Sequence, residues 1–301
     1  MSNDSKTTTA LFPRADRYLL AITLIWGSTF SVTKIALLDL SPMLLQGSRF
    51  FVAALMVGMY TWKDIKTTSP RSLRAGLVLG FLLGLGFALQ TVGLVHTTAS
   101  KAGFLTGTMV VFTPLLQLVI ERRRPSIGNT IGVIIVGVGL YMFTSPAGGN
   151  FNYGDLLVFL CAIVFAFYIV YLDVFTKEHF DREIVFYQFV VTAVIGFAAW
   201  PFFEPAKTAF TLPSVGAILY LSFFASTVAI FVQSKYQRET TPTKAAIIFT
   251  MEPVFAALIA FFVLGEIMSL VEALGAAVMF GGLMFSELYG LRTKYRSNHS
   301  A

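Results

Sequence analysis

A chain of 301 residues that is 56% hydrophobic and only 13% charged, with mean hydropathy +0.74, lies outside the soluble globular class, where about a quarter of residues are charged. The net charge of +6 does not indicate a nucleic-acid partner, because the basic residues fall in short loops between apolar runs and form no patch interleaved with aromatics. The single cysteine, Cys161, excludes an intrachain disulfide and reads as a small buried hydrophobe.

Residues 1–17 form a polar N-terminus. The apolar run 18–38 has no small-residue cleavage site after it, so it reads as a retained helix and not a signal peptide. Runs long enough to cross a bilayer recur at 42–62, 73–95, 98–120, 127–145, 154–174, 183–203, 212–234, 243–264 and 269–290, before a basic tail at 291–301. They are continuous and lack the period-2 alternation of barrel strands, so the expected fold is an all-α membrane protein of ten transmembrane helices. Ser41-Pro42 and Thr241-Pro242 supply helix starts, an N-cap followed by a first-turn proline.

Of the 22 Lys and Arg, Lys34 and Arg49 lie inside spans and Lys101 and Lys207 in loops of one face; all the others fall on the face that carries both termini. The positive-inside rule then places both termini in the cytoplasm.

A shift of 143 positions superposes Gln90 on Gln233, Thr98 on Thr241, Lys101 on Lys244 and Ala102 on Ala245, and a shift of 142 superposes Gln46 on Gln188. The chain thus divides into a five-helix repeat at 18–145 and a second at 154–290. Five is odd, so the second half enters the membrane from the opposite side. Two inverted repeats place a substrate site near the midplane, between the halves.

Two formal charges fall near mid-span, Glu252 and Arg49. An ionised side chain at that depth costs several kcal/mol unless it meets a partner or a wet cavity, so such residues mark pathways. Glu252 lies at the midplane of the ninth span, and the shift of 143 puts Met109 at the equivalent place in the fourth. Arg49 lies about one turn, ~5 Å, toward the outer face. A guanidinium suits a substrate carboxylate through two parallel hydrogen bonds, and a carboxylate suits an ammonium. Three other readings stand beside this one: Glu252 and Arg49 pair with each other, Glu252 is protonated and bonded to a neighbouring helix, or Arg49, like Lys34, snorkels to the headgroups. Trp26, Ser28 and Thr29 in the first span, Thr108 in the fourth, and Phe165 and Tyr168 in the sixth complete the candidate binding set. Gln90 and Gln233 lie nearer opposite faces, as gates or helix bridges. Pro114 and Pro253 each remove a helix hydrogen bond and predict bends. The glycine steps Gly76-Gly80-Gly84, Gly103-Gly107 and Gly128-Gly132 predict close helix packing, within the chain or in a dimer.

The first span reads Trp26-Gly27-Ser28-Thr29-Phe30 with Lys34 beyond, and the second has Arg49-Phe50. The fourth reads Lys101-Ala102-Gly103-Phe104-Leu105-Thr106, and the ninth Glu252-Pro253-Val254-Phe255, ending Leu264-Gly265-Glu266. In this order they resemble the drug/metabolite transporter superfamily, EamA-type ten-helix branch, over residues 18 to 290. One departure is the proline spacing: Pro114 follows Lys101 by 13 residues and Pro253 follows Lys244 by 9. The resemblance implies an inner-membrane carrier, often an exporter of amino acids, closest to the YddG-type aromatic amino-acid exporters. Drugs, purines and nucleotide-sugars are the alternative cargo, although a diphosphate needs more cations than Arg49 and Lys34.

An enzyme is not expected, and neither is a structural bundle. There is no P-loop and no acidic cluster for a diphosphate-bound metal. His96, His179 and His299 lie far apart without ligand spacing, so no metal or other cofactor is expected. With no ATP-binding element, transport is passive or driven by an ion gradient. The expected partners are a small-molecule substrate and the lipid bilayer, for a monomer or homodimer.

Overall fold

The computed structural model describes residues 13–143, 151–177, 180–203, 207–264 and 269–299. His179, Gly265 and Glu266, singled out in the sequence, lie outside the described residues. Fourteen helices are described: α1 (Arg14–Ala36), α2 (Pro42–Tyr60), α3 (Trp62–Lys66), α4 (Pro70–His96), α5 (Ala99–Gly107), α6 (Met109–Ile120), α7 (Ile127–Phe143), α8 (Tyr153–Thr176), α9 (Glu183–Phe203), α10 (Leu212–Tyr220), α11 (Ala229–Tyr236), α12 (Pro242–Phe249), α13 (Glu252–Leu264) and α14 (Leu270–His299). A π-helical stretch, Leu221–Val228, joins α10 to α11. The only pairing of β type among the described residues is an isolated bridge, Leu40 to Thr208.

Among the described residues nine helical stretches are long and apolar enough to cross a membrane, and Ile127–Met142 is a shorter tenth. Three expected spans are composite: α5 with α6, α10 with the π stretch and α11, and α12 with α13. Two boundaries move. α1 already begins at Arg14, inside the expected polar terminus, with Asp16 buried. α14 continues through most of the expected tail, to His299. The helix starts follow local capping chemistry, which satisfies backbone N–H groups left over at the first turn. The Thr241 side chain accepts from the Lys244 amide at 3.2 Å, and Thr98, its mate at an offset of 143, accepts from the Lys101 amide at 3.1 Å. Asn152 and Asp155 form a reciprocal capping box on α8. Ser41 occupies an N-cap position before Pro42 without a side-chain cap bond.

The two halves pack about a twofold axis lying in the membrane plane, and the contact of α7 with α14 displays it. A Cβ on Gly139 would lie 2.6 Å from the Met279 amide nitrogen and 2.8 Å from the Gly275 carbonyl. A Cβ on Gly282 would lie 3.0 Å from the Val136 amide nitrogen and 3.1 Å from the Gly132 carbonyl. Adding 143 turns Gly139, Gly132 and Val136 into Gly282, Gly275 and Met279, so each contact is the other with its partners exchanged. The remaining glycine steps face helices of the same chain: Gly76, Gly80 and Gly84 of α4 lie against Tyr187, Gln188 and Ile195 of α9, and Gly128 lies against Tyr289. Small residues at four-residue spacing let these backbones approach within reach of dispersion and Cα–H contacts, which drive helix association where lipid removes the hydrophobic term.

Candidate functional site

A cavity of about 60 Å³ lies where the composite spans break. Trp26, Thr29, Arg49, Gln90, Met109, Phe165, Tyr168, Gln233 and Glu252 line it, together with Leu83, Phe87, Thr106, Ile169, Ile230 and Phe249. The register mates Met109 and Glu252 therefore reach the same hollow from opposite halves. At roughly 15 Å³ per water, the space holds about four waters.

A threonine stands at each break. Thr108 ends α5 and its hydroxyl donates to the Leu105 carbonyl at 2.5 Å; Thr250 ends α12 and donates to the Ile247 carbonyl at 2.5 Å. Such back-bonding gives the carbonyl an alternative to the helical ladder and bends the chain. The bend expected at Pro253 coincides with a break, since its missing N–H leaves the carbonyl of Phe249, the last residue of α12, without its helical donor; the break in the other span does not fall at Pro114. Pro253 follows its break directly, in the first turn of α13, whereas Pro114 lies inside α6, six residues beyond the break.

Arg49 is 6% exposed and held on three sides. Its Nε donates to Ser226 Oγ at 2.8 Å. The guanidinium carbon stands 4.9 Å from the centre of the Phe50 ring and 4.6 Å from that of Phe87. Aromatic faces attract a cation electrostatically, and more so when water is excluded. The π-helical stretch builds this seat. Its Ser226 meets the guanidinium, its Ser222 hydroxyl lies 2.8 Å from the Arg49 carbonyl, and its Ala225 carbonyl accepts from Trp26 Nε1 at 3.0 Å. A wider turn offsets the carbonyl ladder and frees groups for such contacts, which is why π segments mark functional sites. Arg49 Nη2 is buried and has no hydrogen-bond partner among the described residues.

Glu252 is 8% exposed, at the first turn of α13. It forms no ion pair with Arg49 within 4.0 Å, and no other ion pair involves it among the described residues. The cavity thus holds one carboxyl and one guanidinium, kept apart.

The other expected residues divide. Trp26 packs edge-on against Phe249, with ring centres 5.2 Å apart. Phe165 lies against Gly86, where a Cβ would clash at 2.3 Å, and meets Phe87 at 5.3 Å. Tyr168 presents its ring to the cavity while its hydroxyl donates to Gln188 Oε1 at 2.8 Å. Ser28 does not line the cavity: its hydroxyl is spent on the Ile25 carbonyl and the Tyr220 hydroxyl, each at 2.7 Å. Thr108 does not line it either; it stands at the break. Gln90 and Gln233 were expected nearer the faces, yet both line the cavity. Gln90 Nε2 bridges to Thr106 Oγ1 at 3.0 Å, and Gln233 Nε2 bonds Gln237 Oε1 at 2.9 Å.

Sequence reasoning missed Phe87, Thr106, Phe249, Ser222 and Ser226. The first and third are rings among many, and Ser222 and Ser226, one turn apart inside an apolar span, gain their role only beside Arg49 of α2.

The chain is similar to known proteins over nearly its whole length. An "Uncharacterized transporter" of Archaeoglobus fulgidus is 33% identical over 262 residues, covering 87% of this chain and 82% of that one. The "Uncharacterized inner membrane transporter YedA" of Escherichia coli K12 is 26% identical, covering 87% and 86%. A protein of known crystal structure superposes with a TM-score of 0.77 at 16% identity, covering 93% of this chain and 98% of that one, which shows the shared fold. The printed names of these relatives give no substrate. The EamA-like transporter family matches twice, over residues 14–145 and 152–288, one match to each side of the twofold axis. With ten apolar spans closing on a polar hollow, this multi-pass membrane protein is a transporter and belongs to the EamA-like transporter family.

Proposed function

We propose that the protein is an inner-membrane secondary carrier of amino acids with apolar or aromatic side chains, exporting them from a cytoplasm in which both its termini lie. One observation carries the reading: Glu252 and Arg49 line the same small cavity without pairing to each other. Glu252 receives the substrate ammonium. Arg49 receives the carboxylate through the guanidinium edge that carries the unpartnered Nη2. The rings of Trp26, Phe165, Tyr168 and Phe249 bound the space left for the side chain. A single guanidinium in the cavity weighs against a nucleotide-sugar, whose diphosphate needs more positive charge. The basic residues gathered on the terminal face support the orientation.

Counterflow of labelled phenylalanine and leucine in proteoliposomes tests this. Loss of one buried charge-assisted contact is worth ~1.5–3 kcal/mol, so Glu252→Gln and Arg49→Ala are each expected to slow exchange by roughly 10- to 100-fold. Undiminished exchange by both variants, or none by the parent with either amino acid, ends the proposal.

A further inference from the structure

Each half carries a lysine in the first turn of its broken span, and each lysine reaches across to the other half. Lys101 Nζ of α5 lies 2.5 Å from Asp155 Oδ2 of α8. Lys244 Nζ of α12 lies 2.7 Å from Asp16 Oδ2 of α1 and 3.0 Å from Glu287 Oε2 of α14. The two lysines are mates at an offset of 143, and both aspartates sit in the first turn of the first helix of a half. The pairs lie at opposite membrane faces. Asp155 neighbours the loop ends Thr97 and Asn152, accepting from the former at 2.6 Å and from the latter's amide at 2.8 Å. Asp16 lies two residues before Tyr18, which stacks on Tyr236 at the terminal face. All three carboxylates are buried, at 0%, 1% and 3% exposure for Asp155, Asp16 and Glu287.

The helices that carry the lysines are short levers. α5 spans nine residues and ends at Thr108; α12 spans eight and ends at Thr250. The cavity sits at both hinges, where Thr106, Met109, Phe249 and Glu252 line it. At 1.5 Å per residue a lever is about 13 Å long, so a swing of roughly 15° at the hinge moves the lysine end by ~3.5 Å, enough to part an ion pair. We propose that Lys101–Asp155 and Lys244–Asp16/Glu287 are the two latches of alternating access, each holding shut the membrane face at which it lies by pinning the free end of a lever hinged at the cavity. An occupant of the cavity touches both hinges and thereby biases which latch opens. At the terminal face Lys244 meets two carboxylates, Asp16 and Glu287.

Side-resolved labelling tests this without any substrate, so its outcome is separate from that of the amino-acid reading. In a Cys161→Ser background with Met109→Cys as reporter, a membrane-impermeant maleimide is applied to intact cells and to inverted vesicles. Asp155→Asn is expected to raise the labelling rate from the Lys101 face by ~5-fold or more, the lower end for coupling between a switch and a site, and to lower it from the terminal face. Asp16→Asn with Glu287→Gln is expected to do the reverse. The exchanged pair Lys101→Asp with Asp155→Lys, which keeps the attraction, is expected to return both rates toward the parent. Rates that stay unchanged, or rise at both faces together, or fail to recover in the exchanged pair, overturn the latch assignment.

Discussion

Two residues outside the substrate contacts show how environment sets the behaviour of a side chain. Ser226 is a positioning residue: it fixes Arg49 through Nε and leaves the other edge of the guanidinium to the cavity. Ser226→Ala removes one hydrogen bond to a charge, worth ~1.5–3 kcal/mol, while Ser226→Thr retains the hydroxyl. Counterflow is expected to show a rise in the half-saturating amino-acid concentration for the alanine variant of about tenfold and near-parental values for the threonine variant. Glu121, in the turn between α6 and α7, has both carboxylate oxygens buried without a hydrogen-bond partner among the described residues. Burial, reinforced by the charge of Asp173, pushes its carboxyl up to about 7. A carboxyl raised above its unfolded value favours the fold below the unfolded value, near 4.5, and loses that contribution as pH climbs through 7. Glu121→Gln is therefore expected to raise thermal stability in detergent at pH 8 by ~1 kcal/mol, discounted for the group's partial exposure to solvent, and to leave it unchanged at pH 4.5. Equal effects at both pH values would contradict the buried-carboxyl account.

At the scale of elements, the spans were legible because a run of some twenty apolar residues has few other fates. The interruptions inside them were not. Leu221–Val228 has no polar break that distinguishes a π turn from an α turn, and its Ser222 and Ser226 acquire meaning only once Arg49 of a different helix stands beside them. Thr108 and Thr250 stand at breaks, though Thr29, Thr113 and Thr23 bond preceding carbonyls of their own helices without one. Pro114 and Pro253 drew the eye because their missing donor is visible in the sequence. The lysine latches were hidden for another reason: Lys244 and Asp16 lie 228 positions apart, and Asp16 read as part of a polar terminus. Helix contacts, by contrast, are sharply testable along α7. A Cβ on Gly139 would meet α14 backbone at 2.6 Å, whereas one on Gly137, two residues earlier on another face, meets nothing within 4 Å. Gly139→Ala is expected to destabilise by ~1–3 kcal/mol through overpacking. Gly137→Ala is expected to be neutral or to stabilise by up to ~1 kcal/mol, the helix-propensity gain over glycine. Thermal unfolding of the two purified variants checks the contrast, and similar midpoints would refute the twofold contact.

For the whole molecule, inverted repeats raise the question of which properties follow the symmetry and which depart from it. Caps, hinges, lysines and the α7–α14 crossing all follow it, which is what a carrier needs if its two faces are to open in turn about one site. Charge in the cavity departs from it. Glu252 faces Met109 across the axis, and the offset of 142 that superposes Gln46 on Gln188 takes Arg49 to the uncharged Val191. The site thus has its carboxyl on the second half and its guanidinium on the first, and on the proposed function a zwitterion would take one fixed direction along it. Exchange of the cavity carboxylate across the axis separates the need for a charge from the need for that charge on a given helix. In Met109→Glu with Glu252→Met the hollow keeps one carboxylate and one thioether, the volume is conserved, and both side chains still arise at helix breaks that line the cavity. If the carboxylate serves only to neutralise an ammonium in a wet midplane hollow, the double variant should retain substrate-induced thermal stabilisation, while Glu252→Met alone should lose it, the shift in affinity being ~10-fold or more. If the distance from Arg49 is what the site reads, the exchange shortens or lengthens it and binding falls to the level of the single variant, so that the double variant would then answer to amino acids of different backbone length, β-alanine derivatives against α-amino acids, in the same thermal-shift measurement.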